Sequence, residues 1–311
     1  MKKIRVLIVS GNMDVGGIEN QLMHLLRNAD KDKFQIDFTT NMEHPFYEEE
    51  ILSLGGKCIR ICNTEGKHFF RYCKELYDVL KGKYDVVHFH AEGPCAMIWL
   101  PKLFGKKCIA TIHGLDHQRA KWGRFASWYI RMGEKCAVRF ADSIIVLSEN
   151  VKQYFKDTYN RETVFIPNGV LPATCKDADE ITELYGIHKD DYILFLGRLV
   201  PEKGVKYLIQ AYKKLDTEKK LVIAGGTSDS EDYLKELMAL AGEDSRITFT
   251  GFVQGRVLEE LYSNAYIYVL PSDLEGMPLS LLEAMSYGNC CLASNIPECA
   301  SVLGEFGITF E

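Results

Sequence analysis

Short apolar runs alternate with amphipathic helical stretches from one end of the chain to the other, and that alternation leaves few folds open. A strand that is apolar on both faces must be covered on both faces. A helix between successive strands supplies the cover, and the outcome is a parallel sheet inside an α/β layer structure. In the first half the strand candidates are 4–10, 34–40, 57–62, 85–90, 108–113, 143–148 and 164–167, with helical stretches near 18–29, 68–81, 122–140 and 149–156. The pattern breaks after Asn168-Gly169, where residues 171–179 are polar, contain Pro172 and lack an apolar period. It then restarts with strands at 192–197, 220–224, 246–250, 266–270 and 290–293 and helices at 203–215, 230–241, 256–264 and 278–287. The chain therefore reads as two doubly wound, Rossmann-like α/β domains, 1–170 and 171–311, and 311 residues are enough for two cores.

Composition excludes several classes. A net charge of −6 argues against nucleic acid as the main partner, which demands a basic surface. The first ten residues lack the length and cleavage site of a signal peptide, and no stretch approaches the roughly 20 apolar residues of a membrane span. The ten cysteines show neither a CxxC pair nor zinc-finger spacing, so a reducing cytosol is expected and no metal. Vicinal Cys290-Cys291 lies in a strand-like run and reads as core.

In doubly wound folds ligands bind where the C-terminal strand ends open, so the loops at those ends carry the information. The most informative is Glu-Gly-Met-Pro-Leu-Ser-Leu-Leu-Glu, running from Glu275 through Gly276, Met277, Pro278 and Leu279 to Glu283. A helix opening at Pro278 would put Glu275 on the loop and Glu283 inside the helix. Between them a helix N-terminus would offer N–H groups and a positive dipole end to a pyrophosphate, and the carboxylates would accept from sugar hydroxyls. A dipole-favoured acidic residue and a solvated Glu would look the same. Arg198, just past a strand end, and Lys203, at the start of the next helix, suit a diphosphate but equally fit two solvated cations. Gly16 and Gly17 follow the first strand without the G-x-G-x-x-G order, in an anion-binding turn or an ordinary one. His113, at another strand end before Gly114, is placed for a ligand or for the core. Phe252 follows a strand end where backbone could meet a flat base. Segment 119–135 interleaves Arg119, Lys121, Arg124, Arg131 and Lys135 with Trp122, Phe125, Trp128 and Tyr129. Such a helix can lie on an anionic membrane. The spacing of Phe125, Trp128, Tyr129 and Met132 also marks a core stripe, the reading we favour.

Taken together, Gly16-Gly17-Ile18-Glu19, His113-Gly114, Pro167-Asn168-Gly169, Gly197-Arg198 with Glu202-Lys203-Gly204, and Glu275 through Met285 resemble the retaining glycosyltransferases of group 1, family 4. The resemblance spans nearly the whole chain in the family's order. It implies the two-Rossmann GT-B fold and transfer of a hexosyl group from a nucleoside-diphosphate sugar, a UDP-sugar ahead of a GDP-sugar. The implied acceptor is a glycan, a lipid-linked sugar or a small molecule in cell-surface polysaccharide synthesis. It implies a catalytic set of Glu275, Arg198, Lys203 and His113. Arg198 and Lys203 would neutralise the diphosphate, Glu283 would hold the ribose, and Glu275 and His113 the sugar. Gly16, Gly17, Phe252, Gly276, Met277, Pro278 and Leu279 would line the donor. It further implies transfer without a bound metal or other cofactor. The chain stops at Glu311, where family members continue, so an incomplete C-terminal domain is expected. The cytoplasm is the expected location, with peripheral membrane contact through 119–135. A nonhydrolysing sugar-nucleotide epimerase shares the architecture and is the alternative enzyme. A binding protein with a decayed site is the alternative of another class.

Overall fold

The computed structural model describes residues 2–311 apart from 12, 15, 63–67, 119–122 and 228–230. The chain divides into two compact units, Met1–Asn168 and Gly169–Glu311.

The first unit runs β1 Ile4–Val9, α1 Gly17–Asn28, β2 Phe34–Thr40, α2 Glu48–Ser53, β3 Cys58–Arg60, α3 Phe69–Leu80, β4 Val86–His90, α4 Glu92–Cys95, α5 Trp99–Leu103 and β5 Lys107–Ile112. A 3₁₀ turn at Asp116–Gln118, α6 Arg124–Phe140, β6 Ser143–Val146, α7 Glu149–Tyr159 and β7 Val164–Phe165 complete it. All pairings in its sheet are parallel, in the order β3-β2-β1-β4-β5-β6-β7. Successive side chains of a strand point to opposite faces. Accordingly Leu7 and Val9 join one apolar cluster with Val87, Phe89 and Ile112, while Ile8 joins another with Phe38 and Leu22. The two clusters are the two covered faces that the continuous apolar strands require.

The second unit runs α8 Glu180–Tyr185, β8 Tyr192–Leu196, a 3₁₀ turn at Pro201–Lys203, α9 Val205–Tyr212, β9 Lys220–Ala224, α10 Glu231–Ala241 and β10 Ile247–Gly251. It continues through α11 Gly255–Ser263, β11 Ile267–Leu270, α12 Leu279–Ser286, β12 Cys291–Ser294, α13 Pro297–Leu303 and β13 Ile308–Phe310. Its sheet is also parallel, ordered β10-β9-β8-β11-β12-β13. The polar residues before α8 pack onto this unit: Ser286 Oγ receives the Ala173 amide at 3.0 Å, and Ser263 Oγ the Lys176 amide at 2.9 Å. In each sheet the strand order reverses beside the first strand, between β1 and β4 and between β8 and β11. Those reversals are the crevices where doubly wound sheets bind ligands.

Several expectations are corrected. The helix expected at 203–215 is a 3₁₀ turn, a break at Gly204 and then α9. Gly204 has φ +65°, and a Cβ there would lie 1.9 Å from the Pro271 carbonyl oxygen, so the backbone must leave helical geometry to pass β11's end. Pro278 is the extended residue before α12 (φ −74°, ψ 105°), not its first helical residue. Cys290 is exposed while Cys291 is buried, so only one of the vicinal pair is core. The favoured core stripe on α6 also fails. Phe125 and Trp128 are 78% and 58% exposed, and the buried face is Ile130, Gly133, Glu134 and Ala137. Gly133 sets that face: a Cβ on it would meet the Glu92 carbonyl oxygen at 1.9 Å, so α6 and α4 touch backbone to side-chain-free backbone there. Arg119, Lys121 and Trp122 lie outside the described residues. Among the described residues, no helix is long and apolar enough to cross a membrane.

Gly204→Ala should lower stability by roughly 2–5 kcal/mol, through left-handed strain plus collision. Gly288 has φ +78° with nothing within 4 Å of a Cβ. Gly288→Ala should therefore cost only about 1–2 kcal/mol. Equal losses in urea unfolding would show that the approach to Pro271 carries no weight.

Candidate functional site

In the second unit the loops after β8 and β11 are neighbours because their strands pair. Lys203, the last residue of the 3₁₀ turn, points its Nζ at Glu275 Oε1, 2.5 Å away, with the two side chains only 15% and 8% exposed. Ser272 Oγ donates to the same oxygen at 2.7 Å. The Asp273 amide donates to the Glu202 carbonyl at 2.9 Å, so backbone as well as side chains tie the two loops. Glu275 is thus half engaged: Oε2 accepts no hydrogen bond among the described residues.

Glu283 lies on α12, and its Oε2 accepts from Tyr262 at 3.0 Å. Burial raises its carboxyl above the usual range, against the pull of the Tyr262 hydroxyl. Tyr268 fixes the helix start by donating to Ser280 Oγ at 2.8 Å and reaching the Leu196 carbonyl at 3.3 Å. One buried tyrosine so links β8, β11 and α12. Among the described residues no side chain caps α12, which leaves the positive end of its dipole facing the loop that carries Glu275 to Pro278. Arg198 is exposed, two residues past β8, and its side chain makes no hydrogen bond or ion pair among the described residues. Phe252 is half-exposed beside Gly226, whose would-be Cβ lies 3.5 Å from the Phe252 Cβ. A site results with a free guanidinium, an ammonium shared with a carboxylate, an uncapped helix end and an aromatic edge. It suits an anion flanked by hydroxyls.

The remaining expected residues lie in the first unit. Gly16 is the extended residue before α1, and Gly17 begins that helix. His113 follows β5 and meets His90 at the end of β4, Nε2 to Nδ1 3.0 Å. His90 in turn lies against His88, ring centroids 4.2 Å apart and planes tilted by 40°, and His88 Nε2 pairs with Thr111 Oγ1 at 2.8 Å. Burial, reinforced by the neighbouring imidazoles, holds His90 well below the ordinary histidine value, and burial takes His88 down to about 4. Both are neutral near pH 7, so the contact between His90 and His113 is a hydrogen bond rather than a repulsion between two imidazolium ions.

Sequence reasoning overlooked Tyr262, Tyr268 and His90. Their work depends on contacts across separate elements, and no spacing reports those. It also overlooked Glu92, His117 and Glu134, the three side chains among the described residues that could hold a metal ion. Here a signal existed: Glu134 stands at a helical interval among the apolar residues Ile130, Gly133 and Ala137, where a solvated Glu does not belong.

With this geometry established, comparison with known proteins gives a consistent answer. A family model described as Glycosyltransferase Family 4 matches residues 15–173, and one described as Glycosyl transferases group 1 matches residues 177–309. An uncharacterised glycosyltransferase of Methanocaldococcus jannaschii, MJ1607, is 27% identical over 91% of this chain and 77% of its own length. An Escherichia coli enzyme, the UDP-Gal:alpha-D-GlcNAc-diphosphoundecaprenol alpha-1,3-galactosyltransferase, is 29% identical over 71% of this chain and 60% of its own. Among solved structures, Anabaena Alr3699/HepE in complex with UDP and glucose has a TM-score of 0.82 at 18% identity, covering 98% of this chain and 85% of that one, a likeness of fold.

The Glu283 geometry gives a pH test. A carboxyl whose folded value is raised binds its proton more tightly in the native state, so its contribution to stability falls as pH rises through that value. Glu283→Gln removes the effect and keeps an acceptor for Tyr262. The variant should therefore gain stability relative to the parent as pH rises above the ordinary glutamate range in urea unfolding. A difference that stays constant over that rise would refute a buried, raised carboxyl.

Proposed function

The chain belongs to the group 1, family 4 glycosyltransferases, and from that membership we propose that it is a retaining hexosyltransferase. It moves the sugar of a nucleoside-diphosphate donor to a glycan, lipid-linked or small-molecule acceptor in cell-surface polysaccharide synthesis. The observation that carries this reading is the convergence of Arg198, the Lys203–Glu275 pair and the uncapped α12 on the crevice between β8 and β11. The E. coli relative, named for UDP-galactose and a diphosphoundecaprenol acceptor, supports a UDP-sugar ahead of a GDP-sugar and a lipid-linked acceptor. No observation favours the epimerase alternative.

In this reading Arg198 and Lys203 hold the diphosphate, Glu283 the ribose hydroxyls through its unshared oxygen, and Glu275 the sugar. The turn of Gly276, Met277, Pro278 and Leu279 supplies backbone N–H groups, and Phe252 borders the base. The family resemblance assigns His113 to the sugar and Gly16 and Gly17 to the phosphates. An acceptor oxygen bonds to the anomeric carbon as the bond from that carbon to the diphosphate breaks. The electron pair leaves with the nucleoside diphosphate, whose terminal phosphate oxygen takes the acceptor proton. Negative charge grows on that leaving group, so fixed cations and N–H donors aimed at it lower the barrier.

Arg198→Ala should weaken UDP binding by about 10- to 100-fold, as loss of a charged hydrogen-bond partner does. Glu283→Gln should weaken it as well, with a selective loss for ribose over deoxyribose diphosphates. Calorimetry with UDP and GDP, and donor-sugar hydrolysis or transfer assays, test both. Full retention by both variants removes the assignment.

We further propose a cytoplasmic protein that touches the membrane peripherally through 119–135. Support comes from exposed Phe125 and Trp128, ring centroids 5.8 Å apart, with Arg124, Arg131 and Lys135 exposed on the same helix. The protein should co-sediment with anionic vesicles at low salt, and Phe125→Ala with Trp128→Ala should abolish that. Absence of binding by the parent chain would end this part of the proposal.

A further inference from the structure

Glu92, His117 and Glu134 sit in the interior of the first unit, brought together from α4, the 3₁₀ turn after β5, and α6. Glu92 and Glu134 are fully buried, and the His117 side chain is 5% exposed. One potential ligand atom from each lies within 4.8 Å of the others. Interiors do not keep two carboxylates together without a compensating charge. Among the described residues, neither carboxylate has a lysine or arginine partner within salt-bridge distance. Arg131, whose charge reaches His117, is itself exposed to solvent.

The polar atoms divide into those that are satisfied and those that face one another. Glu134 Oε1 accepts from the Tyr154 hydroxyl at 3.0 Å and from the Tyr159 hydroxyl. The Glu92 carboxylate accepts weakly from the Asp116 amide, at 3.3 and 3.4 Å. The other Glu134 oxygen, Oε2, and His117 Nδ1 are buried and have no hydrogen-bond partner among the described residues. They face each other at 3.6 Å. That separation is too long for a hydrogen bond. It is close to the edge of a tetrahedron about an ion with ligands at 2.0–2.2 Å, which is about 3.4 Å.

We propose that Glu92, His117 and Glu134 form a binding site for a divalent first-row transition metal ion. One imidazole and two carboxylates suit zinc, manganese or iron(II), and the nitrogen disfavours calcium and magnesium. A doubly charged ion would neutralise both carboxylates at once, where a single proton can neutralise only one. Tyr154 and Tyr159 would be the outer hydrogen bonds that orient a ligating carboxylate. The ion would pin the Asp116–Gln118 turn to α4 and α6, and this turn continues directly from the strand end that carries His113. The expectation of metal-free chemistry concerns the transfer step and is separate from an ion held here.

The full-length chain, stripped with chelator, is titrated with Co²⁺ and then with Zn²⁺ as competitor. One Co²⁺ should bind per chain with visible absorption of oxygen and nitrogen ligation, be displaced by Zn²⁺, and raise the melting temperature. His117→Gln and Glu134→Gln should each weaken binding by roughly 100-fold or more, since loss even of an outer partner costs 10- to 100-fold. A crystal soaked in zinc chloride should give an anomalous peak at the zinc edge between the three side chains, and this readout holds even if the variants misfold. Absence of the peak, thiolate charge-transfer bands showing the ion on cysteine, or unchanged affinity in folded variants would each overturn the proposal.

Discussion

The contact between Lys203 and Glu275 is what the second unit's crevice is organised around. It exists because the backbone at Gly204 can pass within a methyl group's reach of the Pro271 carbonyl. Any side chain there would hold the 3₁₀ turn away from the end of β11, and the ammonium would not reach the carboxylate. An ion pair 15% and 8% exposed has lost much of its hydration, so its geometry must be well fixed to compensate. Ser272 supplies part of that, donating to the same oxygen. Removing Lys203 would leave a poorly solvated carboxylate with only a hydroxyl beside it, a larger loss than the pair's own net worth.

The same pair explains how such a crevice could receive a dianion without collapsing when none is bound. An ammonium carries three donors, and Glu275 occupies one. A diphosphate arriving beside Arg198 would take the others, and Lys203 would not have to leave its carboxylate. The desolvation of Lys203 is already met in folding, so less is lost on binding than for a solvated lysine. Arg198 differs in kind: exposed and unpaired, it adds charge that is screened by salt until a ligand covers it.

How much of this was legible in the sequence depends on whether a feature is local or spans elements. The β-α alternation, the division between two units near residue 170 and the identity of the strand-end loops follow from periodicity along the chain. The expected strands of both sheets lie within a few residues of their observed bounds. Arg198, Lys203, Glu275 and Glu283 were singled out as candidates because strand ends in doubly wound sheets are where ligands go. What escaped depends on packing partners. Gly204 looks like any helical glycine until Pro271 stands opposite it, and the interruption of α9 follows from that. The buried face of α6 was misplaced because large aromatics were weighted over a glycine, yet Gly133 is what allows α4 to come close. The engagement of Glu275 by Lys203 was likewise invisible, since the two lie 72 residues apart.

Buried carboxylates occur in both units, and the contrast between them is informative. In the second, Glu275 has an ammonium, Glu283 has a phenol and a raised proton affinity, and Glu260 is held by Arg256 at 2.7 Å and by the Ile181 amide at 3.1 Å. Each is compensated by a donor that the chain itself provides. In the first, Asp37 receives the Tyr84 hydroxyl at 2.8 Å and has Arg5 at 3.6 Å, so the same rule holds there. Glu92 and Glu134 also have donors, an amide and two hydroxyls, but they share one interior cluster with no lysine or arginine partner among the described residues, and there Glu134 Oε2 and His117 Nδ1 stay unpaired. A fold that compensates its other interior acids with its own cations or donors, and leaves these two facing a histidine, has a charge deficit at one place. A bound cation is the simplest occupant that removes the deficit while using every unpaired atom in the cluster.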